Sequence, residues 1–267
     1  MLRSWLPLAV WAALVLAIPC AGRAETIYVK LLVDEEEPGV QQRWQKRLQS
    51  RLQAASEIIH KHCDVQFAVA AYDTWKSDDR VNEFSRSLTD FESKVRPRPG
   101  QIAIGFTSQF RFRRGRNSLG GTRGPMRGHI LIREGARTVY EAERIEVLVH
   151  ELGHFLGAVH SEQADSVMRP ILGDGKARSK TFNIQFDRQN ARVINMIGDE
   201  ISRRRVRRFD QLSRDTKQRL RGIYVQLADE LPKDGAANRG IFLVDQSLRR
   251  QPQPVRRQRR PLRSAPK

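Results

Sequence analysis

Residues 150–160 read His-Glu-Leu-Gly-His-Phe-Leu-Gly-Ala-Val-His (HELGHFLGAVH), and an apolar helical pattern leads into them. That pattern predicts a helix because its apolar positions recur every three or four residues: Ile145, Leu148, Val149, Leu152 and Leu156. On this helix His150 and His154 are four residues apart, so both imidazoles project from one face. Gly157 has access to positive φ and allows a sharp turn, after which His160 folds back toward the other two. The spacing therefore predicts three imidazoles around one ion.

A three-histidine set is the ligand arrangement of a catalytic zinc rather than a structural one, because it leaves one tetrahedral position for water. Glu151 is adjacent to a ligand but points in a different direction, so we expect its carboxylate to overhang that position. The alternative is a buried helix whose histidines are satisfied without a metal. Three converging imidazoles are difficult to satisfy in an apolar interior. We therefore favour the metal site, with His150, His154 and His160 as ligands.

The full spacing, HExxHxxGxxH, resembles the signature of the metzincin zinc peptidases, and within them the sequence is most similar to the matrixins. Ser161 follows the third histidine, as it does in matrixins, and Ser166–Pro170 (SVMRP) resembles their Met-turn. The resemblance implies that Met168 lies beneath the zinc ligands as an apolar base and does not coordinate. It also implies an endopeptidase acting on protein or peptide, in which zinc polarises the scissile carbonyl and Glu151 is the general base.

Departures from the matrixin pattern change the ligands that we expect. The upstream region that binds a structural zinc and calcium in matrixins offers only His129 and an arginine-rich loop here, so we expect one zinc ion per chain and no calcium. A predicted helix at Val81–Val95 is an addition to the matrixin plan and is more similar to the adamalysins. In relatives the substrate adds itself to the edge strand of the sheet. We assign that strand, as the substrate-binding segment, to His129, Ile130, Leu131 and Ile132.

Upstream of the motif, strand-like and helix-like segments alternate. Apolar and β-branched runs predict four strands: Thr26–Val33, Val65–Ala71, Ile102–Phe106 and Gly128–Arg133. Helical periodicity predicts a long helix through Val40–Ile59 and a shorter one at Val81–Val95. This alternation favours a sheet with parallel pairs that is covered by helices. Together with the resemblance it predicts an α/β (α+β) fold: a metzincin-like zincin with a twisted mixed sheet, an active-site helix, a Met-turn and a C-terminal helical extension.

Residues 1–24 have the pattern of a signal peptide. Arg3 precedes the apolar run Leu6–Ile18, and Gly22-Arg23-Ala24 forms an acceptable cleavage site. The run is shorter than the stretch of about 20 residues that usually spans a bilayer. We therefore expect a secreted or periplasmic protein, with a membrane anchor formed by the uncleaved segment as the alternative. Of the two cysteines only Cys63 follows the cleavage site, which excludes an internal disulfide in the mature chain.

Basic residues are concentrated at the C-terminus of a chain whose net charge is +18. From Glu200 onward, 19 Lys and Arg side chains stand against 7 Asp and Glu. Composition thus divides the chain into a catalytic domain at 25–201, a basic extension with one amphipathic helix at 202–248 and a disordered Arg- and Pro-rich tail at 249–267. We expect the basic region to bind an anionic surface or polymer. It has no interleaved aromatic residues to stack on bases, so we expect no specific nucleic-acid recognition.

A second class of function competes with the peptidase, namely an exported protein that binds cell-wall polymers, lipid headgroups or nucleic acid on an inactive zincin fold. Glu151 favours the enzyme, since a binding protein on an inactive zincin fold does not need a base beside the metal. Two weaker sites stay open. His60, His62 and Cys63 are either metal ligands or a helix end with a buried thiol. The arginines of the loop before Gly128 either bind an acidic substrate or form a solvent-exposed basic loop without a ligand. Nucleotide-binding glycine motifs are absent from the sequence.

Overall fold

The computed structural model describes residues 24–37, 39–109, 119–134, 139–179 and 181–250. These residues form five strands: β1 (Glu25–Asp34), β2 (Val65–Trp75), β3 (Gln101–Thr107), β4 (Gly120–Thr122) and β5 (His129–Arg133). They also form six α-helices: α1 (Gln41–His60), α2 (Phe84–Lys94), α3 (Glu141–Phe155), α4 (Arg188–Arg204), α5 (Arg214–Glu230) and α6 (Gly235–Arg250). The predicted signal peptide, apart from its last residue, and residues 251–267 of the predicted tail lie outside the described residues.

The strands form one mixed sheet in the order β2-β1-β3-β5-β4. β1 pairs with β2 and β3 in parallel, and β3 pairs with β5 in parallel. β4 alone runs antiparallel, pairing with β5 from Gly120 opposite Ile132 to Thr122 opposite Ile130. The predicted α/β class with a mixed sheet and helices is confirmed.

Helices cover both faces of the sheet. Alternate residues of β1 face opposite sides: Leu31 and Val33 belong to a large core with α1, α3 and α4, whereas Leu32 packs with α2. The stripe predicted on α1 is buried as expected from Trp44 to Ile59. Because both faces are covered, β3 and β5 are buried almost without alternation along their length.

The edge strand differs from the predicted one. His129–Ile132 lies in β5, between β3 and β4, and the side chains of Ile130, Leu131 and Ile132 are buried. The edge strand next to β5 is β4, a Gly-Gly-Thr triplet, and β2 forms the opposite edge of the sheet. A strand with two glycines has no side-chain pattern to identify it, because its position is set by hydrogen bonding to β5. The prediction that His129–Ile132 forms the edge strand is therefore wrong, whereas substrate binding by His129, Ile130, Leu131 and Ile132 stays a prediction.

The C-terminal region forms a helical hairpin, α5 and α6, where the sequence pattern predicts only one amphipathic helix. Gly240 allows the two helices to approach closely, since a Cβ at this position would lie 2.9 Å from Cδ2 of Tyr224. Arg249 and Arg250, which composition assigns to the tail, belong to α6. Among the described residues, none of the helices combines the length and the apolar character that crossing a bilayer requires.

Candidate metal centre

The helix α3 carries the motif into the core of the protein. Its apolar side chains pack against the large core cluster, and His150 and Glu151 are only 5% and 3% exposed. Gly153 lies between the first two histidines. A Cβ there would lie 2.9 Å from Sδ of Met168 and 2.8 Å from a ring carbon of Phe186. The absence of a side chain at Gly153 thus allows the segment around Met168 to pack directly against the helix.

The structure brings together the three histidines that the sequence predicts as ligands. His150, His154 and His160 each offer one ring nitrogen, and these nitrogens lie within 4.8 Å of one another. The described residues contain one group of three or more His, Cys, Asp or Glu side chains that lie close enough together to hold a metal ion, and the three histidines form it. The predicted alternative at His60, His62 and Cys63 does not form such a cluster; the Cys63 thiol is buried beneath Gly198.

Each imidazole is oriented through its Nδ1 atom. The Nδ1 atoms of His150 and His154 lie 2.7 and 2.8 Å from the carbonyl oxygens of Val167 and Ala158. A carbonyl oxygen only accepts, so both Nδ1 atoms carry the proton and donate it. The Nε2 lone pair is then left for a cation, which is the tautomer that a metal-binding histidine needs.

The third histidine has a carboxylate as its partner. Nδ1 of His160 donates to Oδ2 of Asp234 at 2.7 Å. Asp234 is in the short connection between α5 and α6, 74 residues beyond the histidine. The hydrogen bond from His160 lowers the pKa of Asp234 to about 2, so this carboxyl is ionised at neutral pH. Asp234 is the residue of this site that sequence reasoning missed.

Burial keeps the first two imidazoles neutral. Desolvation, together with the neighbouring histidines, lowers the pKa of His150 well below its ordinary value. Desolvation and His160 likewise lower the pKa of His154 to about 3. Since only a neutral imidazole has a lone pair to offer, the site is prepared to coordinate a cation at neutral pH.

Gly157 makes the turn that brings His160 back to the helix. Its φ is +87°, in the left-handed region. A Cβ at this position would lie 2.4 Å from Cδ1 of Ile197 and 3.1 Å from Oη of Tyr224. The Tyr224 hydroxyl donates to the Gly157 carbonyl oxygen at 2.7 Å, so α5 fixes the turn from outside the motif.

Met168 lies in a turn that is tied to the histidines on both sides. Its carbonyl oxygen accepts from the backbone N–H of Ser161 at 3.0 Å, and Val167 before it accepts from His150. Arg169 after it forms a buried ion pair with Glu146 of α3 at 2.7 Å. Met168 itself is fully buried against the helix. The segment predicted as a Met-turn is therefore in contact with α3 at the level of the three histidines.

Glu151 is a buried carboxyl with free hydrogen-bonding capacity. Within the part of the chain that the structure describes, its Oε2 atom has no hydrogen-bond partner. Its carboxyl group lies against the edge strand, since a Cβ on Gly120 would be 3.1 Å from Oε1. Burial raises the pKa of Glu151 to about 8.

A cavity of about 250 Å³ opens beside the histidines. His154 and His160 line one side, and Thr122 at the end of β4 lines another. Part of the remaining wall comes from α6, where Arg239 and Phe242 line the cavity and Phe242 is 64% exposed. The C-terminal hairpin thus supplies part of the surface around the site.

The other residues singled out by the sequence lie elsewhere. His129 is not part of the cluster; its Nε2 atom is 2.8 Å from the carbonyl oxygen of Val95. Residues 110–118 of the arginine-rich loop lie outside the described residues. Arg123, which follows β4, lies 3.3 Å from Glu92 of α2 in an ion pair.

Comparison with known protein families agrees with this geometry. The model of metallo-peptidase family M12 matches residues 27–199. This segment contains the three histidines and all five strands, except for the first two residues of β1. A search of curated proteins finds no significant match. The match ends before α5, so Tyr224 and Asp234 come from outside the matched segment.

Proposed function

Because the chain belongs to the metallo-peptidase family M12, we propose that it is an exported zinc-dependent endopeptidase in which Glu151 is the general base. The observation that carries this proposal is the combination of three oriented imidazoles with the buried carboxyl of Glu151, whose Oε2 atom has no hydrogen-bond partner among the described residues. Neither feature is needed for a purely structural helix, in which buried polar groups are normally paired.

The residues present fit a zinc ion. His150, His154 and His160 would hold it through their Nε2 atoms, since all three Nδ1 atoms are engaged. Imidazole nitrogen is a ligand that zinc favours, and three protein ligands leave a position for reaction. A zinc ion bound there supplies Lewis acidity toward a peptide carbonyl and toward water.

Glu151 would handle the proton during hydrolysis. Its unpaired Oε2 atom accepts a proton from the attacking water, and the same carboxyl then donates that proton to the leaving amine. The carboxyl must be ionised to begin this cycle, and a cation held by the adjacent histidines favours the ionised form. The fixed helix geometry keeps the base beside the ligands throughout.

The substrate would lie extended along β4, the edge strand that lies beside Glu151. Among the described strands, β5 is the neighbour of β4 in the sheet, and the peptide would add to the opposite side of β4. A peptide that adds to an edge makes backbone hydrogen bonds, and neighbouring pockets select its side chains. The cavity between Thr122 and α6 is such a pocket.

Finer features belong to the proposal as well. Ser161 and the turn around Met168 support a matrixin-like arrangement of the site. We propose one zinc ion per chain and no calcium, because the motif supplies one complete set of ligands. We also propose that residues 1–24 direct secretion or export to the periplasm, or anchor the protein in a membrane if they are not removed. The basic C-terminal region would bind an anionic surface or polymer.

Substitution of the general base tests the proposal. Glu151→Gln leaves all three imidazoles in place, so the zinc content should stay at one per chain. Hydrolysis of a peptide library should fall by about 10²–10⁴-fold, the usual contribution of a general base. Glu57→Gln, the same change on the exposed face of α1, is the control and should cleave like the wild type.

The outcomes separate the two classes of function. If zinc-loaded wild type cleaves no peptide of the library, or if Glu151→Gln cleaves as fast as wild type, the peptidase proposal is wrong. Retention of the protein on an anionic resin or vesicle at low salt, with no cleavage, would then favour the anion-binding protein that the charge distribution also suggests.

A further inference from the structure

The third histidine is oriented differently from the other two. His150 and His154 donate to backbone carbonyl oxygens of the family-matched segment. His160 instead donates to the side chain of Asp234, in the hairpin that lies beyond that segment. A carboxylate partner both fixes the tautomer of an imidazole and makes it a more basic ligand.

Asp234 is itself held in place by the hairpin. Its second oxygen, Oδ1, accepts from the backbone N–H of Ala236 at 2.7 Å, which caps the N-terminus of α6. Its backbone N–H donates to the carbonyl oxygen of Leu231 at 3.0 Å. One carboxylate therefore connects the start of α6 with the third histidine.

A second contact from the hairpin reaches the same loop. Tyr224 of α5 donates to the carbonyl oxygen of Gly157 at 2.7 Å and is fully buried. Tyr224 also packs against Gly240 of α6. The hairpin thus holds the loop of residues 157–160 at both ends, at the turn through Tyr224 and at the histidine through Asp234.

We propose that Asp234 is a positioning residue for the third zinc ligand, and that the α5–α6 hairpin is consequently part of the metal centre. The inference rests on the proposed zinc site. Partners of this kind typically contribute about 10–100-fold to metal affinity. Asp234 acts through His160 and does not itself touch the ion.

A role in capping α6 alone has to be distinguished from a role in positioning. Asn and Ser are N-cap residues comparable to Asp, so Asp234→Asn and Asp234→Ser can keep the bond to Ala236. Neither variant has the second carboxylate oxygen that accepts from His160. Asp245→Asn is the control: it removes the same charge from α6, where Asp245 pairs with Arg221 at 2.7 Å.

The experiment measures zinc affinity by competition with a chromophoric chelator, together with the visible spectrum of the cobalt(II) form and the melting temperature of the metal-free protein. We expect about 10–100-fold weaker zinc binding and an altered cobalt spectrum in Asp234→Asn and Asp234→Ser. The metal-free melting temperature should match that of the control. Asp245→Asn should bind zinc like the wild type.

Three results would overturn the inference. Wild-type zinc affinity and cobalt spectrum in both Asp234 variants would show that the carboxylate does not position the ligand. An equal loss of affinity in Asp245→Asn would attribute the effect to the charge or stability of the hairpin. A wild type that binds no zinc would refute the proposed function as well, so the two failures are distinguishable.

Discussion

Replacing Gly157 by alanine tests how the turn after α3 brings His160 to the site. An alanine at this position would destabilise the fold in two independent ways, through its backbone conformation and through steric overlap. The backbone is left-handed, with φ of +87°, and the space that a Cβ would occupy is filled by Cδ1 of Ile197 at 2.4 Å. Gly175 has the same φ of +87°, but a Cβ there would meet no atom within 4 Å. Gly175→Ala therefore isolates the backbone penalty, and Gly157→Ala combines it with the steric one.

The expected magnitudes follow from these distances. A non-glycine residue in the left-handed region costs about 1–2 kcal/mol, which is the whole effect that we expect for Gly175→Ala. Overpacking a tight core costs about 1–3 kcal/mol more, because Ile197 and Tyr224 are both buried and cannot move apart freely. We expect Gly157→Ala to lower the free energy of unfolding by about 2–5 kcal/mol in total.

Urea unfolding of the metal-free proteins measures both costs. Ile197→Val removes the Cδ1 atom that a Cβ at residue 157 would meet, so the cost of Gly157→Ala should be smaller in that background. Zinc affinity should also fall in Gly157→Ala, since the turn sets the position of His160. The reasoning is refuted if Gly157→Ala is no more destabilising than Gly175→Ala, or if Ile197→Val does not reduce its cost.

Two further predictions concern buried charges. Arg51 is 1% exposed and pairs with Glu134 at 2.8 Å and with Glu141 at 2.7 Å. Arg51→Met should lower the free energy of unfolding by about 1.5–3 kcal/mol in urea titrations, because both carboxylates lose a charged partner while Glu134 keeps Arg144; an unchanged midpoint would contradict this. Although burial opposes it, hydrogen bonds from Ser213 and Thr216 lower the pKa of Glu200 below its ordinary value of 4.5. Its contribution to stability is present above that value and is lost as pH falls through the lowered pKa, so the unfolding free energy of Glu200→Gln should decline less steeply in acid than that of wild type.

Local patterns were sufficient to predict the centre of the site. The spacing of His150 and His154 places them on one helical face, and the turn at Gly157 requires only one backbone conformation. These relations span eleven residues, from 150 to 160, and depend on helix geometry rather than on the rest of the fold. For the same reason the stripe on α1 and the strands β1, β2, β3 and β5 could be predicted, since each one carries its own apolar pattern.

The edge of the sheet could not be predicted in this way. β5 has the apolar pattern of a strand, but the pattern does not state which strands lie on either side of it. β4 has almost no side chains, and its place is fixed by the hydrogen bonds that Gly120 to Thr122 make with β5. An apolar strand such as Ile130–Ile132 is in fact a poor candidate for an exposed edge, because edges are usually short or polar. The triplet with two glycines meets that condition, and its lack of side chains allows Glu151 to approach the backbone.

Asp234 shows why net charge was a poor guide to the C-terminal region. A charge count does not show which side chains face solvent, and from Glu200 onward it presents the region as a basic extension with 19 cations against 7 acids. The contact with the site depends on one of those seven acids, and the excess of cations conceals it. The capping role of Asp234 could be predicted from the residues Asp-Gly-Ala-Ala at the start of α6. Its second oxygen meets His160 only because Tyr224 and Gly240 dock the hairpin beneath the turn, and that docking depends on packing between segments far apart in sequence.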